Sequence, residues 1–307
     1  MILKVAANVL EIIGETPVVK LNRLSEGLPA EVYVKLEQYN PGGSLKDRAA
    51  FYMIEKAEKE GKLKEGSVII EATSGNTGIG LAIAAAVKGY HLIIVMPQNM
   101  SEERRKILKH YGSEVILTPA IQGMMGAVEK ARTIAASDPE KYYMVQQFEN
   151  SYNAESHAVY TAKEILYQMG KDLDAVVIGV GSGGTLTGVA SVLKEEIKDV
   201  EIVAVEPKNS AVLSGCGAGA HEIQGIGAGF IPPILNTELI DRVFAVRDEE
   251  AINTCRELAC KEGLGVGISS GAAVFAALNI AREGRYNKIL VIAPDGVEKY
   301  LSTSLFG

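Results

Sequence analysis

The stretch SVIIEATSGNTGIGLAIAAAVKG, residues 67–89, joins a short apolar strand, a turn of small residues and a helix. We predict the strand over residues 67–72 and the helix over residues 78–88, with the following glycine ending it. A strand that is apolar along its whole length is typical of a parallel sheet covered by helices on both faces. This stretch therefore indicates an α/β fold.

The same unit recurs in the second half of the chain. Residues 174–180 (DAVVIGV) predict a strand, GSGGT follows at 181–185, and a helix runs on to residue 197. TSGNTG at 73–78 and GSGGT thus hold equivalent positions between a strand and a helix. We predict two related, doubly wound domains with parallel sheets and a ligand cleft between them, because ligands of such sheets bind beyond the carboxyl ends of the strands.

No low-complexity linker separates the two predicted domains. We assign residues 41–148 to an N-terminal α/β domain, and residues 1–40 together with 149–307 to a C-terminal α/β domain. Residues 1–40 contain strand-like runs at 17–21 and 31–37 without an intervening helix, and we place them with the C-terminal domain.

Composition argues against several classes of protein. The 307 residues carry a formal net charge of −7, which disfavours a nucleic-acid-binding surface. Cys216, Cys255 and Cys260 are odd in number and form no CxxC pair, so we predict neither a disulfide framework nor a metal site. We expect no signal peptide, because residues 1–4 lack a basic region followed by a long apolar run. No apolar run reaches the ~20 residues of a membrane span. We expect a cytoplasmic protein that makes no contact with membranes.

One lysine is a candidate nucleophile, in the segment NPGGSLKDR at residues 40–48. Ser44 and Asp47 resemble a capping box, which predicts a helix beginning at Leu45 with Lys46 in its first turn. The helix dipole disfavours an ammonium group there, and desolvation would lower its pKa further. A neutral amine is what Schiff-base formation requires. Taken alone, the segment also fits a solvated surface lysine.

Three turns before helices are candidate binding sites. Backbone N–H groups and hydroxyls in residues 73–78 suit a carboxylate or phosphate, although such a turn also serves simply to cap a helix. The glycines of residues 181–185 allow a phosphate to approach the backbone. GISSG at 267–271 is the third turn.

A rival interpretation uses residues 179–184, which also read as GxGxxG. The acidic Glu206 follows the next strand, where a ribose-binding carboxylate lies in dinucleotide sites. A nicotinamide-dependent oxidoreductase is therefore an alternative, although a lone GxGxxG is a weak signal.

Eight segments together resemble the cysteine synthase (O-acetylserine sulfhydrylase) family, which is related to cystathionine β-synthase. The resemblance covers residues 13–306 and implies a fold-type II pyridoxal-phosphate enzyme with a tryptophan synthase β-like fold. The segments occur in the family's order: NPGGSLKDR, EATSGNTG, MPQNMSEERR, VGSGGTLTG, VEPKNSAVLSG, QGIGAGFIP, GISSGAA and YLSTSLF.

The resemblance implies a role for each candidate residue. Lys46 carries pyridoxal 5′-phosphate as a Schiff base and removes the Cα proton of the substrate. Asn76 binds the cofactor's phenolic oxygen, and Ser269 faces its pyridine nitrogen. The 5′-phosphate is held by Gly181, Ser182, Gly183, Gly184 and Thr185. The substrate is bound by Thr73, Ser74, Gly75, Thr77, Gln147 and Gly227.

The implied reaction is β-replacement through an α-aminoacrylate intermediate, in first place O-acetylserine plus sulfide giving cysteine plus acetate. Residues 150–157 (NSYNAESH), 160–165 (YTAKEI) and 294–303 (PDGVEKYLST) depart from the family's NPANP…IH, TTGPEI and PDSGERYLST. We expect these departures to leave the cofactor grip intact and to leave the choice of substrates open. The alternatives are a cysteine-using enzyme that releases hydrogen sulfide and forms lanthionine or serine, and a serine-using cystathionine β-synthase.

The resemblance also implies partners. We expect small-molecule substrates, namely an amino acid and a thiol or sulfide, and a homodimer. Family members are docked by a partner's C-terminal tail, here that of a serine acetyltransferase. A further alternative is that this protein is a non-catalytic relative of these enzymes whose role is to bind such a partner for regulation.

Overall fold

The computed structural model describes residues 5–100 and 102–307, which divide into two compact units. Unit 1 contains Asn40–Tyr152 and the described residues up to Ile13, and unit 2 contains Gly14–Tyr39 and Asn153–Gly307. Asn40 and residues 149–152, predicted in the C-terminal domain, belong to unit 1 instead, and so does the segment of residues 5–13. Leu10 from this segment is buried in the core of unit 1, and that packing determines where the segment belongs.

The elements of the described residues are numbered in chain order. The strands are β1 (Val18–Lys20), β2 (Glu31–Leu36), β3 (Val68–Ala72), β4 (His91–Pro97), β5 (Glu114–Thr118), β6 (Tyr142–Met144), β7 (Ala175–Gly179), β8 (Glu201–Pro207), β9 (Arg242–Val246) and β10 (Lys288–Ala293). The α-helices are α1 (Lys46–Lys59), α2 (Asn76–Lys88), α3 (Glu102–His110), α4 (Gly123–Ser137), α5 (Tyr152–Ser156), α6 (Ala162–Met169), α7 (Gly184–Glu196), α8 (Asp248–Glu257) and α9 (Ile268–Ala281). The sequence predicts Ser101 as the cap of α3, and this residue lies outside the described part of the chain, as do residues 1–4.

Unit 1 is built on a parallel four-stranded sheet in the order β5-β4-β3-β6. Every residue of β3 is buried, and successive residues face different cores. Ile69 packs in the cluster that contains α1 and α2, whereas Val68 and Ile70 pack in the cluster that contains Ala127 and Ala131 of α4. Helices on both faces of the sheet explain why the strand is apolar throughout.

Unit 2 is built on a six-stranded sheet in the order β1-β2-β10-β7-β8-β9. All neighbouring strands are parallel except β1 and β2, which are antiparallel. The short connection over residues 21–30 holds no helix, so it cannot make the crossover that a parallel pair requires. Apart from this edge strand, the two sheets confirm the predicted α/β fold with parallel sheets.

The two glycine-rich turns follow interior strands of these sheets. TSGNTG follows β3 and leads into α2, and GSGGT follows β7 and leads into α7. Each turn therefore lies at the carboxyl end of an interior parallel strand, where open α/β sheets bind ligands. In residues 5–100 and 102–307, no helix combines the length and apolar character needed to cross a membrane.

Candidate functional site

Lys46 begins helix α1, and the loop before it folds back over the start of the helix. Ser44 Oγ accepts a hydrogen bond from the Lys46 N–H at 3.2 Å, and Asp47 Oδ2 accepts one from the Gly42 N–H at 2.6 Å. A Cβ added at Gly42 would lie 2.5 Å from Asp47 Oδ1. The predicted helix start at Leu45 is thus one residue early. Ser44 and Asp47 do not form the expected capping box, because the Asp47 carboxylate accepts from the Gly42 N–H instead.

The amine of Lys46 is the titratable group suited to covalent chemistry. The side chain is partly buried, and desolvation lowers its pKa from 10.5 to about 8. A substantial fraction of the amine is therefore neutral near physiological pH, as a nucleophilic lysine requires. Helix α2 packs closely beside it, since a Cβ at Gly80 would lie 2.9 Å from the Lys46 carbonyl oxygen.

Unit 1 brings the predicted carboxylate-binding residues together at the start of α2. Thr73 and Thr77 are buried, and the Thr77 hydroxyl donates to Gln147 Oε1 at 2.6 Å. The Gly75 N–H donates to Thr73 Oγ1 at 3.1 Å, and no side chain caps the helix. The uncapped first turn of α2 presents backbone N–H groups of the kind that bind a carboxylate.

Glu71 is a residue that the sequence reasoning missed. It is buried at 3% exposure in β3, and its carboxylate accepts from the Gln146 N–H at 2.8 Å and from the Gln147 N–H at 3.3 Å. Burial raises the pKa of Glu71 to about 7, against the lowering effect of these backbone hydrogen bonds. Gln146 adopts φ of +57°, a conformation rare for a residue with a side chain. Glu71 therefore holds the backbone that presents Gln147, and an acidic residue inside an apolar strand was the available signal.

In unit 2, the turn at residues 181–185 leaves no room for a side chain at its glycine positions. A Cβ at Gly181 would overlap the carbonyl oxygen of Gly225, and one at Gly184 would overlap the amide oxygen of Asn153. Gly183 has φ of +86°, which favours glycine. The turn leads into the thirteen-residue helix α7, which has no side-chain cap. A glycine cradle at an uncapped helix N-terminus fits a phosphate group.

Two further predicted residues lie near this turn in unit 2. The Gly227 N–H donates to the Val180 carbonyl at 3.0 Å, which holds the loop around Gly227 beside the end of β7. Ser269 is buried in the first turn of α9, and its Oγ would lie 3.8 Å from a Cβ added at Gly225. The turn at 181–185, the loop at 225–227 and the Ser269 hydroxyl are therefore neighbours.

The Glu206 carboxylate accepts hydrogen bonds from a loop of the same unit. Its Oε2 accepts from the Leu213 N–H at 2.8 Å, and its Oε1 accepts from the Ser214 N–H at 3.0 Å and the Ser214 hydroxyl at 2.6 Å. Both carboxylate oxygens thus stabilise the loop after β8, and a buried carboxylate with these bonds is poorly placed to bind a ribose. This observation removes the main support for the dinucleotide alternative.

The predicted residues fall into one group in each unit. Unit 1 holds Lys46, Thr73, Ser74, Gly75, Asn76, Thr77 and Gln147, and unit 2 holds Gly181, Ser182, Gly183, Gly184, Thr185, Gly227 and Ser269. The first group contains an amine with a lowered pKa and an uncapped turn suited to an anion, and the second contains a glycine turn suited to a phosphate with a nearby hydroxyl. Among the described residues, no cluster of three or more His, Cys, Asp or Glu side chains is arranged to hold a metal ion.

Comparisons with known proteins agree on one family. The family model described as "Pyridoxal-phosphate dependent enzyme" matches residues 9–295. A cysteine synthase of Staphylococcus aureus (strain Mu50 / ATCC 700699) is 51% identical over 301 residues, which are 97% of this chain and 96% of that protein.

Two solved structures show the same likeness. The crystal structure of cysteine synthase (OASS) from Entamoeba histolytica aligns with a TM-score of 0.96 at 44% identity, covering 99% of this chain and 91% of the other. That of a hydrogen sulfide-producing enzyme from Fusobacterium nucleatum aligns with a TM-score of 0.92 at 44% identity, covering 97% and 100%. The family model and these relatives show that the chain belongs to the pyridoxal-phosphate dependent enzyme family.

Proposed function

We propose that the protein catalyses β-replacement on an amino acid, making cysteine and acetate from O-acetylserine and sulfide. The observation that carries this proposal is the lowered pKa of the Lys46 amine, about 8, in the same unit as an uncapped, hydroxyl-rich turn, in a chain that resembles cysteine synthases over nearly its whole length. When bound, pyridoxal phosphate supplies an electron sink for negative charge at the substrate Cα.

Lys46 has two tasks under this proposal. Its neutral Nζ provides the amine to which the cofactor aldehyde is attached, for which the lowered pKa is favourable. With cofactor and substrate bound, the same Nζ would accept the proton from the substrate Cα and hold it, acting as a general base. One side chain with a pKa near 8 suits both tasks, because neither is possible for a permanently charged ammonium group.

The turn at residues 73–77 and Gln147 bind the substrate α-carboxylate. Backbone N–H groups at the start of α2 and the threonine hydroxyls donate hydrogen bonds to it. The hydrogen bond between Thr77 and Gln147 keeps both side chains oriented before substrate arrives. This preorganisation limits the positions that the Cα proton can take relative to Lys46.

The remaining predicted residues hold the cofactor. Residues 181–185 bind its phosphate, Asn76 binds its phenolic oxygen, and Gly227 lines the substrate side. Ser269 presents a hydroxyl to the pyridine nitrogen. With the cofactor bound, this hydroxyl, unlike a carboxylate, would not keep that nitrogen protonated.

The test is to supply O-acetylserine, serine and cysteine separately, each with sulfide, homocysteine or cysteine, and to identify the products by mass. We expect cysteine from O-acetylserine and sulfide at the highest rate. A protein that binds the cofactor but turns over only serine with homocysteine would show that it is a cystathionine synthase instead.

A second candidate activity is hydrogen sulfide release from cysteine. It is favoured by the Fusobacterium nucleatum enzyme, which is as similar in sequence to this chain as the Entamoeba histolytica enzyme, at 44% identity. In the same panel, sulfide formed from cysteine alone at a rate above that of the O-acetylserine reaction would establish this activity as the principal one.

We also propose that the protein is a cytoplasmic homodimer that binds the C-terminal tail of a serine acetyltransferase. A peptide's terminal carboxylate has the same chemistry as the substrate α-carboxylate, so residues 73–77 suit both. Sedimentation measures the oligomer, and competition between a tail peptide and O-acetylserine measures the partner.

A further inference from the structure

We propose that Asn153 and His157 are positioning residues for the phosphate turn, which orient the hydroxyls of Ser182 and Thr185 toward the cofactor phosphate. Because it assigns residues 181–185 to that phosphate, this proposal rests on the proposed function. All four side chains lie in unit 2 and are buried.

The helix that carries these residues is irregular where it passes the phosphate turn. The sequence predicts one helix over residues 154–169, but the structure has α5, a π-helical turn at His157–Thr161, and then α6. π-Turns inside α-helices are rare and occur frequently at functional sites. Here the turn begins at His157, whose side chain is fully buried.

His157 connects the π-turn to the phosphate turn. Its Nδ1 lies 2.9 Å from Thr161 Oγ1, and its Nε2 lies 3.3 Å from Thr185 Oγ1. We place the ring hydrogen on Nε2, so that Thr185 Oγ1 accepts it while the Thr161 hydroxyl donates to Nδ1. Because the Thr185 oxygen accepts from the histidine, its own hydrogen points elsewhere and is available to a phosphate oxygen.

Asn153 makes the corresponding contact one turn earlier. Its Nδ2 donates to Ser182 Oγ at 3.0 Å. As an acceptor from the amide, the Ser182 hydroxyl likewise keeps its hydrogen for another partner. Two hydroxyls of the phosphate turn are thus oriented by neutral donors from one short segment.

Close packing fixes this segment against α7. A Cβ added at Gly184 would overlap Asn153 Oδ1, and one at Gly188 would overlap the Ala154 carbonyl oxygen. The Gly188 Cβ would also lie 2.8 Å from the Cβ of His157. The two glycines of α7 therefore allow the segment to approach the helix more closely than any side chain would permit.

This arrangement bears on one expectation from the sequence. The departure from the family pattern at residues 150–157 was expected to leave the cofactor grip intact. Asn153 and His157 within that segment contact the phosphate turn directly, because the chain returns beneath α7 after leaving unit 1. Both residues are positions at which NSYNAESH still matches the family's NPANP…IH, so these contacts are consistent with that expectation.

The experiment compares His157→Asn with His157→Gln in apoprotein titrated with pyridoxal phosphate. Asparagine places an amide where Nδ1 lies, and glutamine places one where Nε2 lies, so only glutamine retains a donor for Thr185. We expect His157→Asn to raise the cofactor Kd about tenfold, as loss of one hydrogen bond to an anion-binding group predicts. His157→Gln stays within about threefold of the parent.

A double-mutant cycle separates positioning from general structural damage. In a Thr185→Val background, where no hydroxyl remains to be oriented, His157→Asn should change the Kd less than about twofold. The ³¹P resonance of bound cofactor should shift in His157→Asn and return toward the parent position in His157→Gln. A tenfold effect that persists without the Thr185 hydroxyl, or an unchanged Kd in folded His157→Asn, would overturn the proposal.

If His157→Asn does not fold, variants of Asn153 test the proposal instead. Asn153→Ala should raise the Kd several-fold in the parent but have little effect in a Ser182→Ala background, and equal effects in both would refute the inference. A parent protein that fails to bind pyridoxal phosphate would instead refute the proposed function on which it rests.

Discussion

Two titratable side chains of unit 1 have pKa values that burial moves toward neutrality from opposite sides. Desolvation lowers the pKa of Lys46 to about 8 and raises that of Glu71 to about 7. In both cases burial disfavours the charged form. The lowered pKa of Lys46 suits the nucleophilic chemistry that we propose for it, whereas the Glu71 carboxylate accepts a hydrogen bond from the backbone of Gln147.

The raised pKa of Glu71 predicts a specific pH dependence of stability. The folded-state value of about 7 exceeds the ordinary value of 4.5, so the folded state binds more protons between these pH values. The stabilising contribution is complete below pH 4.5 and is lost as pH rises through about 7. Its size is on the order of 3 kcal/mol.

Glu71→Gln should remove this part of the pH dependence, because glutamine does not titrate. We expect denaturant unfolding between pH 5 and pH 8 to show a flatter slope than in the parent, and the KM for the amino acid to rise as Gln147 loses an acceptor for its backbone. Glu65→Gln, at an exposed position, is the matched control. An identical slope in parent and Glu71→Gln would show that Glu71 does not titrate in this range.

At the scale of elements, the glycine turn after β7 requires a close approach of two backbone segments. A side chain at Gly181 would overlap the Gly225 carbonyl oxygen, which cannot move without displacing the whole loop. Gly217, by contrast, has no heavy atom within 4 Å of an added Cβ. The two positions form a natural pair for testing whether the cradle or general glycine flexibility matters.

Gly181→Ala should weaken pyridoxal phosphate binding at least tenfold (about 1.4 kcal/mol) while the far-ultraviolet circular dichroism stays native. Gly217→Ala should bind the cofactor like the parent. Equal affinity of both variants for the cofactor would mean that residues 181–185 do not hold the phosphate.

The elements differ in how far the sequence could predict them. The sequence predicts strands over residues 242–246 and 288–293, because these short apolar runs are bounded by polar residues and turns, and β9 and β10 have these same bounds. The π-turn at His157–Thr161 could not be predicted, since it depends on packing against α7 and on Thr185, which is distant in sequence. Helix α1 was predicted within one residue, but the partner of Asp47 was not, because Gly42 depends on the tight turn before the helix.

For the whole molecule, the parallel sheets could be predicted because alternating strands and helices leave few other topologies. The place of residues 5–13 could not, since one buried side chain, Leu10, determines it and short segments carry little pattern. Most of the site residues came from motifs at the ends of strands. The motifs do not reveal the contacts of Glu71, Asn153 and His157, because the hydrogen bonds of these side chains join segments that are distant in sequence.

Above all, we propose that Lys46 carries pyridoxal phosphate covalently. Borohydride reduction of the protein incubated with the cofactor, followed by peptide mapping, tests it most directly. We predict a yellow protein before reduction and, afterwards, a stable cofactor adduct on Lys46 alone, with none in Lys46→Ala. An adduct on a different lysine, or a folded protein that stays colourless with the cofactor, would contradict the claim.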